Sequence, residues 1–162
     1  MFPRKPSDEL PVRHNPLSSR HVPFPSADLL GTPAHVEANG ANPVFVGSAI
    51  FENSVHPCKI VFSIHPPCHV PYGGSEVRHY GRYELFPITP KVEWVPTKNG
   101  KIPPNRSPVN GGHESSGEVL YYALGKINDV DVPGKTGEHL VSGSLVFTSV
   151  RLTFPRDLLK SR

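Results

Sequence analysis

The stretch Val44-Phe45-Val46-Gly47-Ser48-Ala49-Ile50, bounded by Pro43 and Asn53, decides the fold. It is short and rich in residues that favour strands, and breakers fence it on both sides, so it reads as a strand. Moving on by 76 positions, from 44 to 120, brings Leu120-Tyr121-Tyr122-Ala123-Leu124-Gly125, of the same character. The first copy runs on through Asn53 to His56-Pro57-Cys58-Lys59, and the second through Asp129 to Val132-Pro133-Gly134-Lys135. The spacing from strand to lysine is identical in the two copies. A duplicated strand–turn–strand unit explains this, and two copies are too few for a long solenoid. The expected fold is therefore all-β, with two pseudo-symmetric antiparallel repeats sharing one core.

The rest of the sequence extends that reading. Of 162 residues, 20 are Pro and 14 are Gly, which break helices throughout the middle of the chain. Further strands are expected at Lys59–Ile64, at His69–Tyr72 running into a Gly73-Gly74 turn, and in Glu76–Phe86, where Tyr83 and Leu85 alternate with Arg82 and Glu84. Val92–Val95 precedes a Lys98-Asn99-Gly100-Lys101 turn suited to a hairpin. Glu118–Leu124 and Leu145–Phe154 complete the set, and the latter has no cleanly polar face, as a strand covered on both sides would not. Residues 1–28 read as a Pro-rich extended arm, with one helical turn at Ala27–Gly31. The expected divisions are this arm, a first repeat over 29–90, a second over 91–155, and a tail over 156–162.

Composition narrows the function. The formal net charge of +3 is modest and the basic residues are scattered, which argues against nucleic acid. No segment is long and apolar enough for a membrane-spanning helix, and the first residues lack the apolar core of a classical signal peptide. Cys58 and Cys68 are the only cysteines, too few for a disulfide framework, so a cytoplasmic protein is expected, or one released without a classical signal. No nucleophile elbow, phosphate-binding loop or zinc-protease motif occurs, and an enzyme is not expected.

Residues 43–86 resemble one repeat of the DM-nine family, also called natterin-like and a domain of unknown function. The resemblance rests on Phe45-Val46-Gly47-Ser48-Ala49, Pro57-Cys58-Lys59, Cys68-His69-Val70-Pro71-Tyr72-Gly73-Gly74-Ser75-Glu76 and Tyr83-Glu84-Leu85-Phe86. The second repeat is similar through Trp94-Val95-Pro96, Gly100-Lys101-Ile102-Pro103, Gly111-Gly112-His113-Glu114, Leu120-Tyr121-Tyr122-Ala123 and Pro133-Gly134-Lys135. The resemblance implies tandem antiparallel repeats with a pseudo-twofold relation, similar to mannose-binding lectins of molluscs. It implies that an acidic residue after a Gly-aromatic pair and the lysine of Pro-Gly-Lys hold sugar hydroxyls. The matching residues are Glu114 and Lys135. Glu114 stands where Asp is expected. In the first repeat Lys59 matches the lysine, but the acid position is Ala38, with Glu37 beside it. After Lys135 the Gly-Gly-x-Glu and Tyr-Glu ending of the first repeat is missing.

Those residue types suit a sugar. A carboxylate accepts hydrogen bonds from vicinal hydroxyls and an ammonium donates up to three, so a Glu–Lys pair needs no metal or other cofactor. Trp94, Tyr121 or Tyr122 could offer an aromatic platform, and Glu76, His113 and Tyr121 could wall the site. Single-site sugar affinity is weak, so a second site or a homodimer would matter. The resemblance makes mannose-type glycans the expected partners. Two alternatives stay open: a protein-interaction module without a sugar ligand, and a zinc-binding structural domain using Cys58, His65, Cys68 and His69.

Overall fold

The computed structural model describes residues 31, 33–36, 42–97, 101–140 and 150–156. The expected arm, the turn at Ala27–Leu30, Glu37, Lys98–Gly100 and positions 145–149 lie outside the described residues. The chain is all-β, and among the described residues one curled, mainly antiparallel sheet carries eleven strands. In chain order these are β1 (His35–Val36), β2 (Pro43–Ile50), β3 (Val55–Ile60), β4 (Cys68–Tyr72), β5 (Ser75–His79), β6 (Tyr83–Leu85), β7 (Val92–Thr97), β8 (Asn110–His113), β9 (Val119–Ile127), β10 (Val130–Thr136) and β11 (Val150–Pro155). Among the described residues no helix is long and apolar enough to cross a membrane.

The repeat seen in the sequence is a repeat of register. In the β2–β3 hairpin, Gly47 faces Cys58 and Val46 faces Lys59. In the β9–β10 hairpin, Ala123 faces Gly134 and Tyr122 faces Lys135. Each pair is the other shifted by the same 76 positions (47 to 123, 58 to 134), so Lys59 and Lys135 occupy equivalent rungs. β1 precedes and pairs with β2 as β8 does with β9. β6 lies along Gly47–Ala49, and β11 takes the equivalent place along Ala123–Gly125. The two halves meet where Val55 of β3 pairs with His113 of β8.

The core has two lobes that follow this division. Phe45, Ala49, Cys58, Ile60, Cys68, Val70, Tyr83 and Leu85 form the first; Ala123, Leu152 and Phe154 form the second, with Val95, Ile102 and Tyr121 against it. Tyr122 joins them: its ring stacks on Phe86, with centroids 4.3 Å apart, and its hydroxyl lies 2.7 Å from Ser48 Oγ. The Ser48 hydroxyl donates to the Gly111 carbonyl at 2.7 Å, so its one proton is used and Tyr122 is the donor to Ser48. Burial pushes the Tyr122 phenol up to about 12, which keeps that proton in place.

Three local expectations meet a different outcome. The Lys59–Ile64 strand is displaced towards the N-terminus: β3 starts at Val55 and ends at Ile60, before the turn that leads into Pro66-Pro67. The hairpin expected around Asn99-Gly100, which lies outside the described residues, has no second strand after it. Residues 101–109 form no strand, since Pro103, Pro104 and Pro108 lack the N–H a ladder needs, and β7 pairs with β11. Glu76–Phe86 divides into β5 and β6 around Tyr80–Arg82. By contrast Gly73 and Gly74, at φ of 58° and 79°, form the two-residue turn between Tyr72 and Ser75, a conformation for which glycine is suited. Leu152, Thr153 and Phe154 are all fully buried, as expected for a strand covered on both faces.

Candidate functional site

One group of polar side chains meets at the seam between the halves. Lys135, on β10, extends towards β3, and its Nζ lies 2.8 Å from Nδ1 of His56. The other ring nitrogen of His56 is 3.1 Å from Ser54 Oγ and 3.9 Å from Glu114 Oε2. Glu114 Oε1 in turn lies 3.4 Å from His139 Nε2. Lys135, Glu114 and His139 of the second half are thus linked in a chain through His56 of the first. Lys135 Nζ also sits 5.1 Å from the centroid of the Tyr72 ring, a cation–π distance.

Backbone structure fixes each member. Lys135 owes its place to the β9–β10 register. His56 follows the Phe51–Ser54 turn, closed by a bond from the Phe51 N–H to the Ser54 carbonyl at 2.9 Å. Glu114 opens the turn between β8 and β9: its N–H donates to the Glu118 carbonyl and its own carbonyl accepts from Gly117 N–H. Gly112 lets β8 come close to β3, since a Cβ there would stand 2.0 Å from the Val55 carbonyl oxygen. Tyr72 is delivered by the Gly73-Gly74 turn.

Beside this chain opens a cleft of about 290 Å³, lined by Phe51, Ser54, His56, Tyr72, Val77 and Glu114 among others. Its wall is aromatic. The His56 ring meets Phe51 edge-on at 5.4 Å and Tyr72 at 5.7 Å. Lys135 does not itself line the cleft; it touches two of the lining residues, His56 and Tyr72. Burial lowers the pKa of His56, helped by the positive charge of Lys135 and opposed by Glu114. Burial likewise lowers the pKa of Lys135, against the pull of Glu114. With His56 neutral, the Lys135 ammonium donates to Nδ1, and the Nε2–H is left for Ser54 and the Glu114 carboxylate.

The other expected site residues are dispersed. The 37–38 segment lies outside the described residues, and Lys59 Nζ donates to Glu76 Oε2 at 2.8 Å. Glu76 Oε1 accepts from His69 Nδ1 at 2.7 Å. Burial raises the Glu76 pKa, but the bonds from Lys59 and His69 outweigh it and the net shift is downward. Glu76 is thus a clamp across β3, β4 and β5. His113 is exposed, with Nδ1 3.0 Å from the Glu114 carbonyl, at the edge of the site. Tyr121 packs against the second lobe, and Tyr122 is buried in the seam, so the aromatic ring beside Lys135 is Tyr72 instead. Trp94 lies on β7 opposite Thr153.

The four residues weighed as zinc ligands do not converge. Cys58 and Cys68 are buried against one another, His69 is held by Glu76 and the Pro66 carbonyl, and His65 faces Tyr80 at 6.1 Å. Among the described residues no group of three or more His, Cys, Asp or Glu is placed to hold a metal. Sequence reasoning passed over His56 and Tyr72. The repeat itself held the signal for His56, which stands where the second copy has Val132. Comparison with curated proteins gives no match. The model of the DM9 repeat matches residues 38–148, a span containing both hairpins, the cleft and the Lys135–His56–Glu114 chain, and this protein belongs to the DM9 repeat family.

Proposed function

We propose that this protein is a carbohydrate-recognition module that binds a mannose-type sugar in the Phe51–Tyr72 cleft, without a metal and without chemical turnover. The observation that carries this reading is the placement of His56 between Lys135 and Glu114, with the Lys135 ammonium over the Tyr72 ring. A hexose ring has an apolar face and a rim of hydroxyls, each both donor and acceptor. Tyr72, 57% exposed, offers a surface to the first. Glu114 accepts from the second, and the Lys135 ammonium keeps donors beyond the one given to His56. Charge-assisted bonds of this kind contribute about 1.5–3 kcal/mol each when well formed. Membership of the DM9 family is consistent with a recognition module.

Lys59, committed to Glu76, contributes to a second and weaker site at most, so association of two chains would be the main source of avidity. The recognised glycans would be foreign or self, in defence or sorting. The test is a glycan array on purified protein, run with and without a chelator, alongside Lys135→Ala. Binding to mannose-bearing glycans that survives chelation and vanishes in the folded variant is the expected result. Silence across the array would favour a protein-interaction module, and loss with the chelator would restore a metal.

A further inference from the structure

Cys58 and Cys68 are the pair of side chains that sugar recognition leaves unused. Both are fully buried in the first lobe, with their sulfurs 3.4 Å apart. The geometry follows from the ladder. Ile60 faces Cys68 across β3 and β4, so Cys58, two residues back on the same face, is the diagonal neighbour of Cys68. A disulfide bond measures about 2.0 Å, so the sulfurs have about 1.4 Å still to close, within the reach of side-chain rotation and slight strand movement. Two facing thiols make a poor metal site without further ligands, and no third ligand stands with them among the described residues.

We infer that Cys58 and Cys68 form a peroxide-responsive dithiol that closes into a disulfide linking β3 to β4 beneath the cleft. The step balances as a two-electron oxidation. One thiolate attacks a peroxide oxygen, the O–O bond breaks, and the sulfur becomes a sulfenic acid while water leaves. The neighbouring thiol then attacks that sulfur, the S–S bond forms, and a second water leaves. A resolving thiol at 3.4 Å captures the sulfenic acid before further oxidation.

Two features set its rate and reach. Burial pushes the Cys58 thiol pKa well up, so its thiolate is scarce and the reaction is slow at neutral pH and faster as pH rises. Access comes through the β4–β5 hairpin, which is held to β3 by the Lys59–His69 and Ile60–Cys68 pairs and by the Glu76 clamp, while among the described residues β5 has β4 as its one partner strand. On the same face, Cys58 is followed along β3 by His56, and Cys68 along β4 by Val70 and then Tyr72; the His56 and Tyr72 rings meet at 5.7 Å and wall the cleft. A disulfide below them holds that wall closed. Its formation does not depend on what the cleft binds.

The test starts from fully reduced, folded protein treated with hydrogen peroxide, then denatured and alkylated. Intact mass should show the loss of two hydrogens and no alkyl groups in a monomer, reversed by a phosphine reductant. The oxidised form should melt higher by roughly 5–10 °C, as expected for a closed loop of this size. Two alkyl groups after treatment, an unlinked sulfinic product or a disulfide-linked dimer would each overturn the inference. Because wild-type protein carries the whole test, failure here leaves the sugar reading standing, and failure on the glycan array leaves this one standing.

Discussion

The Lys135 ammonium and the His56 imidazole, contributed by opposite halves of the chain, meet at 2.8 Å. This bond is possible only while the imidazole is neutral, because a protonated ring has no lone pair to accept and adds a positive charge beside another. The Lys135–His56 contact is therefore the point at which protonation reaches the cleft.

The first prediction is acid release of sugar. His56 has a folded pKa below its ordinary value of 6.5. The unfolded chain therefore binds a proton that the folded one refuses, and the ring's penalty to folding grows as pH falls below 6.5 until the folded pKa is reached. Protonation within the fold drives Lys135 away from Nδ1. Glycan affinity measured by calorimetry should be steady above pH 7 and fall through the weakly acidic range, and His56→Gln should flatten that part of the profile. A profile unchanged by His56→Gln would contradict the role given to the ring.

A second prediction concerns the aromatic wall. Tyr72→Ala should weaken glycan binding about tenfold, in line with about 1.4 kcal/mol of lost stacking and cation–π contact, while Tyr72→Phe retains most of it. Equal loss in both variants would assign the effect to the hydroxyl. Tyr72 is well exposed, so thermal stability should change little in either.

The two equivalent lysines should differ. Lys59 is tied to Glu76 in a largely exposed pair, worth about 0–1 kcal/mol. Lys59→Ala should therefore leave most of the glycan affinity in place, whereas Lys135→Ala abolishes it. Equal losses, measured on the same glycan, would mean that both rungs hold sugar.

The seam should be costly to cut. Ser48→Ala removes a buried hydroxyl that serves both Gly111 and Tyr122, and should cost about 1–3 kcal/mol in denaturant unfolding. Gly112→Ala should cost at least as much, since its Cβ would overlap the Val55 carbonyl. A Gly112→Ala protein of native stability would show that β8 and β3 can separate cheaply.

Much of this was legible in the sequence, and the exceptions share a cause. The repeat spacing located both hairpins and the equivalence of Lys59 and Lys135, because a strand–turn–strand unit is a local object with a fixed side-chain period. Glu114 and Lys135 were singled out by resemblance; His56 stands between them, 2.8 Å from Lys135 Nζ and 3.9 Å from Glu114 Oε2, and Glu114 lines the cleft. His56 and Tyr72 were passed over because they are local to the first repeat but act on a lysine of the second, a contact spanning positions 56 to 135. Tyr121 and Tyr122 looked like platforms until the register of β9 turned one into the second lobe and the other into the seam. The fate of Glu76, clamp or site wall, depended on where β5 folded back against β4, which the Gly73-Gly74 turn sets but composition does not reveal.

The most direct measurement is backbone and side-chain NMR of the isotope-labelled protein titrated with methyl mannoside. Shifts concentrated at Phe51, His56, Tyr72, Glu114 and Lys135, with Lys59 and Glu76 little moved, are the predicted result. Saturable shifts centred elsewhere on the sheet, or none at all, would contradict a sugar site in this cleft.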